Sequence, residues 1–144
     1  TIRFFNTVGP RQTGRYGMVL PRFVQSALKN EPITIYGDGT QTRSFCFVDD
    51  LIEGLVDFME LGEGFPGPMN IGNPTEFTML ELADLVIKLT GSKSEIEFKD
   101  LPSDDPKQRK PSIDLAYEKL SCWTPKTELI EGLEKTISYF KNNL

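Results

Sequence analysis

Arginine is the residue type in this chain whose placement best suits a binding site for an anion. Arg43 follows a glycine-rich turn at residues 37–39 and precedes a hydrophobic strand pattern, and Arg109 lies in a polar loop that ends at Pro111. A guanidinium group can bond a phosphate through two N–H groups at once, so two arginines from separate loops could clamp a diphosphate. Taken alone, the spacing favours a surface arginine beside a turn and a solvated charged loop. Arg15 is a third candidate, which we leave outside the predicted site because a surface position explains it as well.

The chain contains no histidine, which excludes His-based catalytic triads and zinc sites that use histidine. Its two cysteines, Cys46 and Cys122, are far apart and form no paired metal-binding motif. We therefore predict no metal site, and any chemistry must come from tyrosine, lysine, carboxylates, a thiol or a bound cofactor. Asp49 and Asp50 resemble a catalytic carboxylate pair, but they fit better as the acidic first turn of a helix, where negative charge is favoured. We predict no catalytic residue in this chain.

The composition is typical of a soluble globular protein. The 144 residues suffice for one domain with a buried core, and 38% of them are hydrophobic and 26% charged. A net charge of −5 argues against general binding to nucleic acid, but an anionic ligand needs only local cations. The sequence has no apolar run of membrane length and no signal-peptide pattern at its start. With only two cysteines, we expect a cytoplasmic protein that binds neither nucleic acid nor membranes.

Hydrophobic periodicity predicts an α/β protein with short parallel and mixed strands, because strand and helix patterns alternate along the chain. We expect about six helices, the longest at residues 127–142, and a capping box at Thr78 that begins one of them. The apolar side chains that are predicted to pack in the core include Cys46, Trp123, Ile130, Leu133, Ile137 and Phe140. The predicted strands cover residues 1–5, 33–36, 44–48, 69–72 and 95–98, and the predicted helices cover residues 19–29, 49–59, 78–90, 112–120 and 127–144.

Two ordered motifs resemble those of a known family. Residues 36–51, Y-G-D-G-T-Q-T-R-S-F-C-F-V-D-D-L, and residues 3–11, R-F-F-N-T-V-G-P-R, resemble segments in the C-terminal half of the extended short-chain dehydrogenase/reductases. This family includes NAD-dependent nucleotide-sugar epimerases, 4,6-dehydratases and decarboxylases, and the resemblance covers essentially the whole chain. The motif D-P-K-Q-R-K-P at residues 105–111 looks most like the family's UDP-glucuronate decarboxylases, whereas residues 14–23 look more like related epimerases.

The resemblance implies that residues 1–144 are the C-terminal, substrate-binding part of a Rossmann-type fold. The NAD-binding part would be absent from the chain, since no G-x-x-G-x-x-G loop follows a strand and none of the four tyrosines begins a Y-x-x-x-K pair. The first residues already fit a strand, so we expect the chain to be a piece of a longer protein. The resemblance implies that the full-length protein is a homodimer and that it binds NAD mainly through its N-terminal part. We expect this chain alone to be inactive.

The resemblance also assigns residues to the phosphate end of a nucleotide sugar. Arg43 and Arg109 match family arginines that contact the diphosphate, and Asn6 matches a ligand-contacting asparagine. The alternative for Asn6 is a hydrogen bond to its own turn. The implied function is that of UDP-glucuronate decarboxylase. The alternatives are an NDP-sugar 4-epimerase, a dTDP-glucose 4,6-dehydratase and a non-catalytic sugar-nucleotide-binding module.

Five further positions are implied at the base and the cofactor. Val19, Leu20 and the backbone near Tyr36 would bracket the base and ribose, and their side chains are apolar enough for this contact. Core packing is the alternative for Val19 and Leu20. Phe5 and Thr7 would approach the nicotinamide end of NAD.

Overall fold

The computed structural model of the chain describes residues 1–15, 18–62, 65–101 and 107–144. Strands and helices alternate along these ranges, which confirms the α/β prediction. The described helices are α1 (Val19–Lys29), α2 (Val48–Glu60), α3 (Met79–Thr90), α4 (Asp114–Lys119) and α5 (Leu129–Asn143). The described strands are β1 (Ile2–Phe4), β2 (Thr7–Val8), β3 (Ile33–Tyr36), β4 (Thr42–Ser44), β5 (Cys46–Phe47), β6 (Met69–Ile71), β7 (Glu76–Thr78), β8 (Ile96–Lys99) and β9 (Gln108–Arg109).

The described strands form small sheets in which parallel pairing dominates. β1 pairs with β6, β2 with β5 and β3 with β8, all in parallel. A further sheet has the order β7-β4-β9, in which β4 is antiparallel to β7 and parallel to β9. Parallel strands cannot be joined by a tight hairpin, so the helices between them in sequence provide the crossovers.

The larger hydrophobic cluster surrounds β3 and involves α1, α3 and α5. Ile33 and Ile35 are almost fully buried in it, whereas Thr34 and Tyr36 are not, as the two-residue period of a strand predicts. α3 begins at the predicted capping box, in which Thr78 Oγ1 accepts a hydrogen bond from Glu81 N at 3.1 Å and a Glu81 carboxylate oxygen accepts one from Thr78 N at 2.7 Å.

The predicted core face of α5 is confirmed at three positions and wrong at one. Leu133, Ile137 and Phe140 are buried, but Ile130 is 49% exposed and Leu129 is buried in its place. Consecutive helical residues lie about 100° apart, so a face that includes Leu129 and Leu133 turns Ile130 toward solvent. α5 has 15 residues and is the longest of the described helices, as predicted.

The second hydrophobic cluster packs α2 and α4 against β1 and β6, with Trp123 at its centre. The predicted role of Trp123 as a packing anchor is confirmed, since the ring lies so close to α2 that a Cβ at Gly54 would be 2.9 Å from its Cε2 atom. Cys46 is fully buried in the same cluster, and burial raises the pKa of its thiol to about 12. The prediction that Cys46 belongs to the core is therefore confirmed.

The strand predicted at residues 44–48 is wrong as a single element. β4 ends at Ser44, β5 covers only Cys46 and Phe47, and Val48 already begins α2. Because β4 pairs with β7 and β9 while β5 pairs with β2, the chain changes from one sheet to another at Phe45. Five helices are described where about six were expected.

The short strands β2, β7 and β9 were missed by the sequence prediction. Each has two or three residues, and a segment of that length shows no periodicity. β9 lies in the stretch that was interpreted as a polar loop, of which residues 102–106 are outside the described residues. The remaining predicted elements occur with ends shifted by one or two residues, while α1 and β3 have the predicted bounds.

Asp49 and Asp50 occupy the first turn of α2, as predicted, but their environments differ. Asp49 is exposed, whereas Asp50 is 5% exposed. The Asp50 carboxylate accepts hydrogen bonds from Lys126 N at 3.1 Å, Thr127 N at 2.8 Å and Thr127 Oγ1 at 3.2 Å. Trp123 Nε1 donates to the Asp50 carbonyl at 3.1 Å. Asp50 therefore joins α2 to the segment before α5 and serves the fold.

We expect Asp50→Ala to lower the free energy of unfolding by about 2–4 kcal/mol, because it leaves two backbone N–H groups without their carboxylate acceptor. Asp49→Ala is the matched control, since it removes the adjacent carboxylate from the same helical turn at an exposed position. It should cost less than about 1 kcal/mol. Urea denaturation of the two variants measures the difference, and equal losses would contradict this role of Asp50.

Candidate functional site

A cleft of about 1060 Å³ lies beside the ends of β1 and β3 and the beginning of α1. Ligands of open α/β sheets commonly bind beyond the carboxyl ends of parallel strands. The eight side chains that the sequence analysis assigned to ligand or cofactor all line this cleft, namely Phe5, Asn6, Thr7, Val19, Leu20, Tyr36, Arg43 and Arg109. Residues that are more than a hundred positions apart in sequence thus meet at one surface.

The described lining of the cleft carries only positive formal charge. Arg3, Arg22, Arg43 and Arg109 line it, and none of the described lining residues is Asp or Glu. The chain as a whole carries a net charge of −5. The positive charge is therefore local, and it makes this cleft a suitable site for an anion.

Arg43 and Arg109 are direct partners in the parallel ladder of β4 and β9. Neighbouring strands lie about 4.8 Å apart, and side chains at paired positions point to the same face. Arg43 is 8% exposed and its Nη1 donates to the Thr42 carbonyl at 2.7 Å, whereas Arg109 is exposed. The Arg43 guanidinium is thus held against the sheet, whereas Arg109 lines the cleft from an exposed position. This arrangement suits an anion with two adjacent charged groups.

The glycine-rich turn before β4 sets the direction in which that strand starts. Gly37 and Gly39 have φ of 76° and 80°, values that glycine adopts readily. Between them, Asp38 Oδ1 accepts hydrogen bonds from Thr40 N at 2.9 Å and Thr40 Oγ1 at 2.6 Å, and these bonds lower the pKa of Asp38. The Gly39 carbonyl accepts from Leu80 N at 3.2 Å, which ties the turn to the first turn of α3.

Asn6 connects the end of β1 to the segment where the chain changes sheets. Its Nδ2 donates to the Ser44 carbonyl at 3.1 Å, and its own carbonyl accepts from Cys46 N at 2.8 Å. The Asn6 side chain therefore bonds a distant strand and not its own turn. Thr7 does bond locally, since its Oγ1 donates to the Phe5 carbonyl at 3.3 Å.

The opposite part of the cleft is apolar and aromatic. Leu20 is 1% exposed and belongs to the larger core cluster, while Val19 is partly buried and packs against that cluster. The packing alternative is thus observed for both residues, although both also line the cleft. The Tyr36 ring is exposed and the Arg22 guanidinium lies 5.8 Å from its centroid.

The sequence analysis did not include Arg3 and Arg22 in the site. Arg3 precedes the F-F-N segment on β1, so its strand position was the signal that could have identified it. Arg22 lies on α1, two residues after Leu20, and nothing in its spacing distinguishes it from a solvated helical arginine. In the structure it lines the cleft, where its guanidinium makes a cation–π contact with the Tyr36 ring.

Arg15 does not line the cleft that contains Arg43 and Arg109. It lies with Arg11 in a separate depression of about 410 Å³ near the end of α5. Its neighbours Tyr16 and Gly17, which the sequence analysis grouped with it, are outside the described residues. In the charged loop, Asp104 and Asp105 are also outside the described residues, and the described part from Lys107 to Lys110 is exposed, as predicted.

Residues 1–15, 18–62, 65–101 and 107–144 contain no group of three or more His, Cys, Asp or Glu side chains that could hold a metal ion. No helix in those ranges is long and apolar enough to cross a membrane.

The fold and the site together define an α/β protein with a cleft whose described charged lining residues are all arginines. A family model described as the NAD dependent epimerase/dehydratase family matches residues 1–72, which is half of the chain. The chain belongs to this family. The extended short-chain dehydrogenase resemblance and the Rossmann-type fold class are thereby confirmed.

The curated relatives of this chain include decarboxylases that are longer than this chain. UDP-glucuronic acid decarboxylase 1 of Arabidopsis thaliana is 49% identical over 142 residues, which cover 99% of this chain and 32% of the relative. UDP-glucuronic acid decarboxylase 1 of Danio rerio is 44% identical over 142 residues, which cover 99% of this chain and 33% of that relative. The chain thus spans about a third of the length of these relatives.

Similar solved structures include epimerases that act on UDP-sugars. The UDP-glucuronic acid 4-epimerase of Bacillus cereus, solved in complex with UDP-glucuronic acid and NAD, has a TM-score of 0.89 and 33% identity over 98% of this chain and 44% of its own. The UDP-glucose 4-epimerase of Thermotoga maritima, solved with UDP-glucose, has a TM-score of 0.89 and 34% identity over 98% of this chain and 45% of its own.

We expect Gly39→Ala to lower the free energy of unfolding by about 2–4 kcal/mol. Gly39 has φ of 80°, and an added Cβ would lie 2.6 Å from Leu80 Cγ. Gly91→Ala separates the two causes, because Gly91 has φ of 66° but nothing lies within 4 Å of its added Cβ. It should cost about 1–2 kcal/mol. Thermal or urea unfolding measures both variants, and a Gly39→Ala loss no larger than that of Gly91→Ala would show that Leu80 does not constrain the turn.

Proposed function

We propose that residues 1–144 are the C-terminal, substrate-binding part of a longer NAD-dependent enzyme that decarboxylates UDP-glucuronate. The observation that carries the proposal is the register of β4 and β9, which places Arg43 beside Arg109 on the wall of the cleft. A nucleoside diphosphate has two adjacent charged groups that suit this pair. The identity of 49% to an Arabidopsis thaliana UDP-glucuronic acid decarboxylase supports the choice of reaction.

In this proposal the nucleotide sugar lies along the cleft with its diphosphate at Arg43 and Arg109. The base and ribose contact the side where Val19, Leu20 and Tyr36 lie. Asn6, at the end of β1, faces the sugar side of the diphosphate. The nucleotide then binds at a distance from the reacting carbon, and its binding free energy holds the sugar in a reactive orientation.

Phe5 and Thr7 are the residues of this chain that would approach the nicotinamide. Both are partly buried and line the cleft beside Asn6, which fits contact with one edge of a planar ring but not retention of a whole dinucleotide. NAD, when bound, would supply reversible oxidation of the sugar at C4, which makes loss of the C6 carboxylate easy. The residues here orient the substrate, and the Y-x-x-x-K pair and dinucleotide loop would belong to the N-terminal part.

A 4-epimerase acting on the same kind of substrate is the second candidate. It is favoured by the 33% identity to a Bacillus cereus UDP-glucuronic acid 4-epimerase across 98% of the chain. The substrates of the two reactions carry the same UDP group, so the cleft alone suits both. The identity to the decarboxylases is higher, and for this reason we place decarboxylation first.

We further propose a cytoplasmic homodimer. Both cysteines are free and Cys122 is exposed, which suits a reducing compartment. Light scattering of the full-length protein tests the dimer.

We expect Arg43→Ala and Arg109→Ala each to weaken binding of UDP to the full-length protein by about 10- to 100-fold, because each removes a charge-assisted hydrogen bond. The double variant should lose less than the product of the single losses if both groups bind one diphosphate. The affinity for NAD should not change. Isothermal titration calorimetry with UDP measures these effects.

Arg15→Ala is the matched control for these variants, because it removes an arginine from the separate depression. Its affinity for UDP should equal that of the wild type. If both Arg43→Ala and Arg109→Ala also equal the wild type, the proposed diphosphate site is wrong.

We expect the full-length protein with NAD to convert UDP-glucuronate to UDP-xylose with release of carbon dioxide. The 144-residue chain alone should show no turnover, since none of its tyrosines begins a Y-x-x-x-K pair. Proton NMR of the sugar products measures both. Formation of the 4-epimer with its carboxylate retained would instead support the epimerase. Turnover by the 144-residue chain would contradict the division of roles proposed here.

A further inference from the structure

One carboxylate, that of Glu76, connects all three strands of the sheet that carries Arg43 and Arg109. Glu76 lies on β7, and its Oε1 accepts hydrogen bonds from Thr42 Oγ1 at 2.8 Å and from Gln108 Nε2 at 2.6 Å. Its Oε2 lies 3.6 Å from Lys110 Nζ. The carboxylate thus spans from β7 across β4 to the side chains of β9.

Glu76 acts from the face of this sheet opposite to the arginines. Side chains alternate between the two faces of a strand. Arg43 pairs with Phe77 and Arg109, whereas Thr42 pairs with Gln108 and Ser44 pairs with Glu76. Glu76 therefore lies on the Thr42 face and makes no direct contact with the cleft, whose lining does not include it.

The position of Arg109 depends on few other contacts. β9 has two residues at a sheet edge, and a strand this short is not stable by itself. Its other described hydrogen bonds to β4 include Thr42 N to the Lys107 carbonyl at 3.0 Å and Ser44 Oγ to the Arg109 carbonyl at 3.3 Å. Glu76 holds Gln108 and Lys110, the two residues that flank Arg109.

We propose that Glu76 is a positioning residue that holds β9 against β4 and thereby fixes the separation of Arg43 and Arg109 for the diphosphate. The inference deepens the proposed function and rests on it. A diphosphate can bind both guanidinium groups at once only if they lie at a suitable separation. A change in that separation weakens binding even though both arginines are still present.

The electrostatics of the contact agree with this geometry. The hydrogen bonds from Gln108 and Thr42, with the charge of Lys110, lower the pKa of Glu76. Because the pKa is lowered in the folded state, the stabilisation is present at neutral pH and is lost as the pH falls below the ordinary glutamate range. The carboxylate is ionised under the conditions in which a nucleotide would bind.

Glu53 provides a control within the same protein. It lies on α2, and its carboxylate accepts a hydrogen bond from Lys126 Nζ in the segment before α5. This contact raises the pKa of Lys126. Glu53→Ala thus also removes a carboxylate that joins two distant segments, but neither Glu53 nor Lys126 lines the cleft.

The test is calorimetric titration of UDP into the full-length wild type, Glu76→Ala, Glu76→Gln, Glu53→Ala, Arg109→Ala and the double variant Glu76→Ala/Arg109→Ala. We expect Glu76→Ala to bind UDP about three- to tenfold more weakly, the loss of about one hydrogen bond's free energy. Glu76→Gln, which keeps an acceptor oxygen, should recover part of the loss, and Glu53→Ala should bind as the wild type does. Urea unfolding of each variant confirms that it is folded during the titration.

The double variant decides whether Glu76 acts through Arg109. If it does, Glu76→Ala should have no further effect on UDP affinity once Arg109 is alanine. An equal loss in both backgrounds would overturn the inference, as would wild-type affinity of Glu76→Ala or a matching loss in Glu53→Ala. If the wild type does not bind UDP, the proposed function fails and the inference fails with it. The other outcomes leave the proposed function intact.

Discussion

Two guanidinium groups on paired strands repel each other, and much of the local structure holds them together in spite of that repulsion. Like charges at directly opposed positions destabilise a sheet. Here the Thr42 carbonyl orients Arg43, the Ser44 hydroxyl bonds the carbonyl of Arg109, and Glu76 binds the other face. The turn at Gly39 and the first turn of α3 fix the end from which β4 starts. An anion bound by both arginines would lower this repulsion.

Of the two hydrophobic clusters, the larger one contributes lining residues to the cleft and the smaller one does not. Trp123, Asp50 and the cluster around Met69 and Ile71 join α2 to the C-terminal segment, and none of these residues lines the cleft. The cluster around β3, in contrast, contributes its edge to the cleft through Leu20, Phe23 and Ile35. Changes near Trp123 should therefore affect folding alone, while changes in the larger cluster affect folding and the shape of the site together.

The features that could be predicted from the sequence depend on residues that are close together along the chain. The bounds of α1 and β3 and the capping box at Thr78 follow from periodicity and from side chains three residues apart. The family motifs pointed to Arg43, Arg109 and Asn6, which do line one cleft. The missed features depend on partners distant in sequence. β7 and β9 exist because β4 lies between them, Asp50 is buried because residues 126 and 127 fold onto it, and Arg22 lines the cleft beside Tyr36.

The arginines of the cleft come from four segments that are far apart in sequence, on β1, α1, β4 and β9. In an unfolded chain these four arginines would be far apart among 21 acidic residues, so they could not act together on one dianion. The attraction is consequently a property of the native state alone, and ligand occupancy and folding are thermodynamically linked. A ligand at a hundred times its dissociation constant adds about 2.7 kcal/mol to the stability of the state that binds it. If the ligand is the proposed nucleotide sugar, its abundance in the cell would then help to determine how much of the protein remains folded.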